Sequence, residues 1–200
     1  DEYLADLKEF LSFVEKDAGQ KPWILAHSNG ALVAALYLSQ SPNAAQGAVF
    51  SSPYFRNAIR PNVLELFLAY GVGAVVPWLP IKAPLPSHLL THDEEWQRHI
   101  DSDKLHGRTL TPRWYRCLLT EQERVLQLAA QFTAPVMVVQ SGADKVANPD
   151  ASREWCDAAG STDKNYTEYP GLFHELFMER PGDRNRVIGE VVDWFDRHIG

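Results

Sequence analysis

Apolar residues Tyr3, Leu4, Leu7, Phe10, Leu11 and Val14 share one helical face, which predicts an amphipathic helix over residues 3–17, ended by Gly19. Residues 22–27 form a short apolar run that predicts a strand. Residues 29–40 follow as a helix apolar nearly all round, through Ala31, Leu32, Val33, Ala34, Leu36, Tyr37 and Leu38. That is the pattern of a helix buried behind a sheet. Residues 47–51 predict a second strand, apolar on both faces. Such strands alternating with helices indicate an α/β fold with a parallel sheet covered on both sides.

From residue 53 to about 120 the rhythm breaks. Proline, aromatic and histidine residues accumulate and no clean strand is evident, so the segment reads as a largely helical cap inserted into the core. The alternation resumes with a helix over 121–132, a strand over 135–140, a helix over 150–159 and a strand over 165–169. A last amphipathic helix points Val187, Ile188, Val191, Val192, Trp194 and Phe195 toward the core. The expected organisation is core at 1–52, cap or lid at 53–120, and core again at 121–200.

Within the cap, Leu66 to Ile81 carries no charged residue. It is shorter than the roughly 20 residues a membrane-spanning helix needs, and Gly71, Gly73, Pro77 and Pro80 interrupt it. The stretch reads as an apolar cover over a binding site. Leu66, Phe67, Leu68, Tyr70, Val75, Val76 and Trp78 are the candidates to hold an acyl chain or touch a membrane surface, with packing inside the cap as the competing reading.

Two hundred residues of 45% hydrophobic composition can bury one sizeable core. A net charge of −7 argues against a nucleic-acid partner, which would call for a basic stripe. Cys117 and Cys156 are too few for a disulfide framework and match no metal spacing, which points to a reducing, cytoplasmic setting. Asp93-Glu94-Glu95 reads as a solvated helix face, and His198 as an exposed side chain near a helix C-terminus. His88 and His92 have a helical metal-ligand spacing, with His99 nearby, but no third ligand stands in a fixed pattern and Pro86 limits the helix. Roles on the cap surface or against substrate are preferred for them. No secretory signal is visible, and the chain opens on Asp1 inside a predicted helix, as a piece of a longer polypeptide would.

The strand at 22–27 runs straight into Ala26-His27-Ser28-Asn29-Gly30. A serine on so sharp a strand-to-helix turn is lifted above the sheet edge, with small residues two before and two after it because the backbones nearly touch. Its hydroxyl needs a base to become a nucleophile, and the base needs an orienting carboxylate. Asp144 falls just past one predicted strand and His174 in the loop after the last. Taken singly, Ser28 reads as a helix cap, Asp144 as a turn cap and His174 as a surface residue. Taken together they follow the order Ser, Asp, His, each beyond the carboxyl end of a parallel strand, where open α/β sheets hold their sites. The joint pattern favours a triad of Ser28 as nucleophile, His174 as base and Asp144 as its orienting acid. The backbone N–H of Asn29 would be one oxyanion donor.

Three segments carry a resemblance: Ala26 to Gly30; Ser141-Gly142-Ala143-Asp144-Lys145-Val146-Ala147-Asn148-Pro149; and Gly171-Leu172-Phe173-His174-Glu175. They resemble the motifs of α/β-hydrolases of the monoacylglycerol lipase and bacterial lysophospholipase group, with Ala26 standing where the family has glycine. Leu90 to Asp93, Asp101 to Leu105 and Thr111 to Trp114 are similar to the lid of the bacterial lysophospholipases. The resemblance implies a serine hydrolase cleaving carboxylic esters of single-chain lipids through an acyl-enzyme on Ser28, with no cofactor. The apolar cap residues, read for themselves, add peripheral membrane contact as a further expectation. By the same resemblance the first strands and the His-Gly oxyanion loop lie outside these residues. A missing N-terminal part is expected to complete the sheet beside strand 22–27, and the 200 residues alone to be insoluble or inactive. An esterase for small non-lipid esters and a non-catalytic α/β-hydrolase binding module are the alternative readings.

Overall fold

The computed structural model describes residues 2–199. In chain order, α1 (Glu2–Ala18), β1 (Trp23–His27), α2 (Asn29–Gln40) and β2 (Gly47–Ser51) lead into the cap. The cap holds α3 (Val63–Leu66), α4 (Gly73–Val75), β3 (Ile81–Lys82), α5 (Glu94–Ser102) and β4 (Thr109–Leu110). Then α6 (Pro112–Gln127), β5 (Val136–Ser141), α7 (Pro149–Ala158), β6 (Lys164–Tyr169) and α8 (Pro181–Ile199) follow. Gly19, at φ 70, ends α1 with its N–H donating to the Glu15 carbonyl at 2.9 Å, a left-handed cap that glycine adopts without penalty.

The main sheet is parallel throughout, in the order β1-β2-β5-β6. Its register aligns Ala26, Phe50, Val138 and Tyr166 in one row. Because side chains alternate along a strand, Phe50, Val136 and Val138 face α2, α6 and α7, whereas Val49, Met137 and Val139 face α8. On the first face Phe50, Phe55, Phe132 and Trp155 meet in edge and tilted contacts, with ring centroids 5.0 to 6.2 Å apart. On the second, Trp194 packs edge-on against Trp23 at 5.6 Å. β1 is the outer strand of the described sheet, and Leu25 within it is 53% exposed.

Four sequence expectations change. The cap does contain strands: Ile81 pairs with Leu110 and Lys82 with Thr109, a ladder too short to leave an alternating pattern. The helix expected at 121 begins at Pro112. Thr111 accepts a bond from the Trp114 N–H, and Pro112 takes the first helical position, where its missing N–H costs nothing. Position 120 therefore lies inside α6. On α8, Val187, Val191 and Trp194 form the buried stripe and Phe195 packs at its edge, but Ile188 and Val192 are exposed. Those two sit one residue on, about 100° around the helix, past the reach of the sheet. His198 is half-buried, stacked on Trp194 with its ring bonded to the Trp194 carbonyl and to Asp163. Among the described residues no helix is long and apolar enough to cross a membrane.

Candidate active site

Ser28 stands between β1 and α2 with φ 52 and ψ −120, a backbone conformation unfavourable for any residue with a β-carbon. Four backbone bonds hold it there. Its N–H donates to the Ser51 carbonyl at 3.0 Å, and its carbonyl accepts from the N–H groups of Ala31, Leu32 and Tyr54. The Ser28 side chain makes no capping bond to the helix. Its Oγ lies 2.9 Å from Nε2 of His174, and Nδ1 of His174 lies 2.8 Å from Oδ2 of Asp144. An imidazole that donates from Nδ1 to a carboxylate keeps a lone pair on Nε2, so the Ser28 hydroxyl donates to that nitrogen.

Each partner is itself held. Asp144 Oδ1 accepts from the Val146 and Ala147 N–H groups at 2.8 and 2.9 Å, and Oδ2 accepts from the Ser141 hydroxyl at 2.8 Å. Burial raises the Asp144 pKa, but the hydrogen bond and charge of His174 with the two backbone donors outweigh it, and the carboxyl sits below its ordinary value. Asn29 opens α2, so its N–H has no intrahelical acceptor and is free to face a ligand. Gly30 departs from the expected crowding. A β-carbon there would meet nothing within 4 Å, because the described residues leave a groove between α1 and β1 beside it.

Two contacts around the triad escaped the sequence reading. The fully buried Glu179 accepts from the Phe173 N–H (2.7 Å), the His92 N–H (3.0 Å) and the His92 ring (2.9 Å). The His92 ring stacks on Phe173 at 3.7 Å, so cap residue His92 grips the residue just before His174. On the open side, His27 Nε2 lies 3.2 Å from Glu175 Oε1, and the His27 and His174 rings are 4.8 Å apart. Burial raises the Glu175 pKa, but the adjacent His27 and then His174 pull it below its ordinary value. The sequence shows His27 and Glu175 as triad neighbours but offers no local sign that they meet. His92 and Glu179 are 87 residues apart in the chain.

A cleft of about 720 Å³ opens over Ser28 and His174 between core and cap. Tyr54, Leu68, Ile81, Leu85, Leu90 and Trp114 supply much of its apolar wall, with Glu65, Lys82 and His106 among its polar groups. Of the seven cap residues considered for acyl contact, Leu68 lines this cleft. Leu66 and Tyr70 face a separate depression beside Phe55 and Leu126, Val76 is half-buried outside the cleft wall, and Phe67, Val75 and Trp78 are mostly solvent-exposed. One short helical segment turns only one face inward, so a continuous apolar run cannot point entirely at the cleft. His27, Asn29, Glu175 and Val146 complete the mouth.

Comparison with known proteins agrees with this architecture. The chain is 31% identical to phospholipase YtpA of Bacillus subtilis over 179 residues, covering 88% of this chain and 68% of that protein. It is 26% identical to the monoacylglycerol lipase of Mycolicibacterium smegmatis, covering 99% of this chain and 70% of the other. The crystal structure of the Paleococcus ferrophilus monoacylglycerol lipase superposes with a TM-score of 0.88 at 24% identity, covering 98% of this chain and 76% of that one. The chain thus spans part of the length of each, and the shared fold is that of the α/β-hydrolases. The profile of the serine aminopeptidase S33 family matches residues 1–181. A parallel sheet with this strand order, a helical cap and that match over most of its length make the chain a member of the serine aminopeptidase S33 family of α/β-hydrolases.

Proposed function

We propose that the protein hydrolyses carboxylic esters of single-chain lipids, of the monoacylglycerol or lysophospholipid type, through an acyl-enzyme on Ser28. The observation that carries this reading is the unbroken relay from Ser28 through His174 to Asp144, at 2.9 and 2.8 Å, beneath an apolar cleft. Ser28 Oγ attacks the ester carbonyl while His174 Nε2 takes its proton, and Asp144 holds the imidazole in the reactive tautomer and stabilises its charged form. His174 then returns the proton to the departing alcohol. Water attacks the acyl-enzyme by the same route in reverse and frees the fatty acid. The Asn29 N–H stabilises the oxyanion. A second donor is worth about 100- to 1000-fold in turnover, and the proposal assigns it to a further segment that would pair with the open edge of β1.

The same proposal assigns residues 53–120, which run into the first half of α6, to a lid over the site. Exposed Val63, Leu64, Phe67, Val75 and Trp78 support a role in meeting the surface of a lipid aggregate. Leu25, exposed on the outer strand, supports further strands of the fold pairing there. Turnover of long-chain monoacylglycerol and lysophosphatidylcholine, set against short-chain esters in the full-length protein, tests the substrate class. The expected result is a clear preference for the long chains. A preference for short acyl groups would move the assignment to a small-ester esterase.

A further inference from the structure

We propose that the mouth of the catalytic cleft is an inhibitory site for a Zn²⁺-like divalent cation, held by His27, Glu175 and Nε2 of His174. One ligand atom from each of these residues lies within 4.8 Å of the other two. His27 Nε2 and Glu175 Oε1 approach to 3.2 Å, yet the buried Nε2 has no aligned hydrogen-bond partner. Two donors bound to a tetrahedral zinc at its usual bond lengths stand about 3.3 Å apart. The pair therefore already has the spacing of two zinc ligands.

The third ligand is prepared by the triad itself. Asp144 accepts from Nδ1 of His174, which leaves Nε2 as the lone-pair nitrogen facing the cleft, the carboxylate–histidine–metal arrangement of zinc sites. Nδ1 of His27 lies 3.4 Å from the Ser51 hydroxyl, which turns its Nε2 toward Glu175 in the same manner. To hold one ion, the half-buried His27 and Glu175 side chains would have to turn toward His174, whose ligand atom lies within 4.8 Å of theirs. Two imidazoles and one carboxylate select Zn²⁺ over Mg²⁺ and Ca²⁺, which prefer all-oxygen shells. The fourth position falls to Ser28 Oγ or to water from the cleft.

The consequence is inhibition. The lone pair that binds the cation is the one that accepts the Ser28 proton, so metal and general base exclude each other. No covalent bond changes: the Ser28 to Nε2 hydrogen bond is exchanged for a metal–nitrogen bond. The inhibitory effect rests on the proposed role of His174, whereas binding does not.

Titration calorimetry of ZnCl₂ into the full-length protein is the test, read beside hydrolysis with and without EDTA. One Zn²⁺ per chain is expected, with no comparable signal from Mg²⁺ or Ca²⁺, and inhibition that EDTA reverses. Glu175→Gln and His27→Gln, each checked for folding by circular dichroism, should each weaken Zn²⁺ binding beyond the roughly 10- to 100-fold that follows loss of an outer-shell partner. Ser28→Ala, inactive under the proposed function, should keep the site. Zn²⁺ affinity unchanged in both the Glu175 and His27 variants would put the ion elsewhere and overturn the proposal, as would absence of binding. If the site binds as described but the metal-free protein cleaves no ester, the functional reading fails and the site stands.

Discussion

Ser28 and Ser52, at φ 52 and φ 42, are the non-glycine residues of positive φ among those described, and they directly follow adjacent strands. Such conformations cost on the order of 1–3 kcal/mol each and persist where surrounding bonds over-determine them. At Ser28 the bonds to Ser51, Ala31, Leu32 and Tyr54 do so. At Ser52 the N–H donates to the Val139 carbonyl at 2.8 Å, and the hydroxyl lies 3.3 Å from that of Ser141, which in turn donates to Asp144. The cysteines differ more simply. Burial pushes the Cys156 thiol up to about 11, whereas Cys117 is exposed. Iodoacetamide at pH 8 is therefore expected to modify Cys117 alone in the folded protein, and Cys156 only after denaturation. Equal labelling of both thiols in the native state would contradict the packing of α7. Ser28, Asp144 and His174 were legible because each lies in a local motif at a strand end. Ser52 and Glu179 were not, because their partners come from distant segments with no periodicity linking them.

At the scale of elements, the cap and the histidine loop are fastened to each other. The Leu90 carbonyl accepts from the Glu175 N–H at 2.9 Å, Thr91 donates to the Met178 carbonyl at 2.7 Å, and Glu179 gathers both backbones. Glu179→Gln leaves one oxygen for three donors, so one arm of the clamp opens. Loss of registration between His174 and Ser28 is expected to lower kcat on the order of 100-fold with little change in KM. A normal kcat in Glu179→Gln would show that the loop holds without the clamp. The central elements β2, β5 and α2 were legible because they are apolar on every side. The start of α6 was not, because Thr111 and Pro112 look like loop residues until the Thr111 cap is seen. The two-residue pairing of β3 with β4 is too short to carry a pattern.

For the whole molecule, the carboxylates beside His174 tie stability to pH. Asp144 and Glu175 both have folded values below their ordinary ones. Their contribution is complete above their unfolded values, about 3.9 and 4.3, and is lost as pH falls through the lower folded values. The urea midpoint is expected to stay level down to about pH 5 and to fall below about pH 4. A midpoint that rises on acidification would contradict this. The parallel sheet and its two covered faces followed from the alternation of apolar strands and helices, whereas the strand order β1-β2-β5-β6 came only with the structure. The direction each cap residue faces did not, since an unbroken apolar run carries no phase.

The central claim is that Ser28 is a nucleophile activated by His174. Labelling of the full-length protein with a fluorophosphonate, with the modified peptide identified by mass spectrometry, tests it most directly. One label per chain on Ser28 is expected, abolished in Ser28→Ala and slowed about 10²- to 10⁴-fold in His174→Ala. A folded protein whose Ser28 stays unmodified, or labels as fast without His174, would contradict the account.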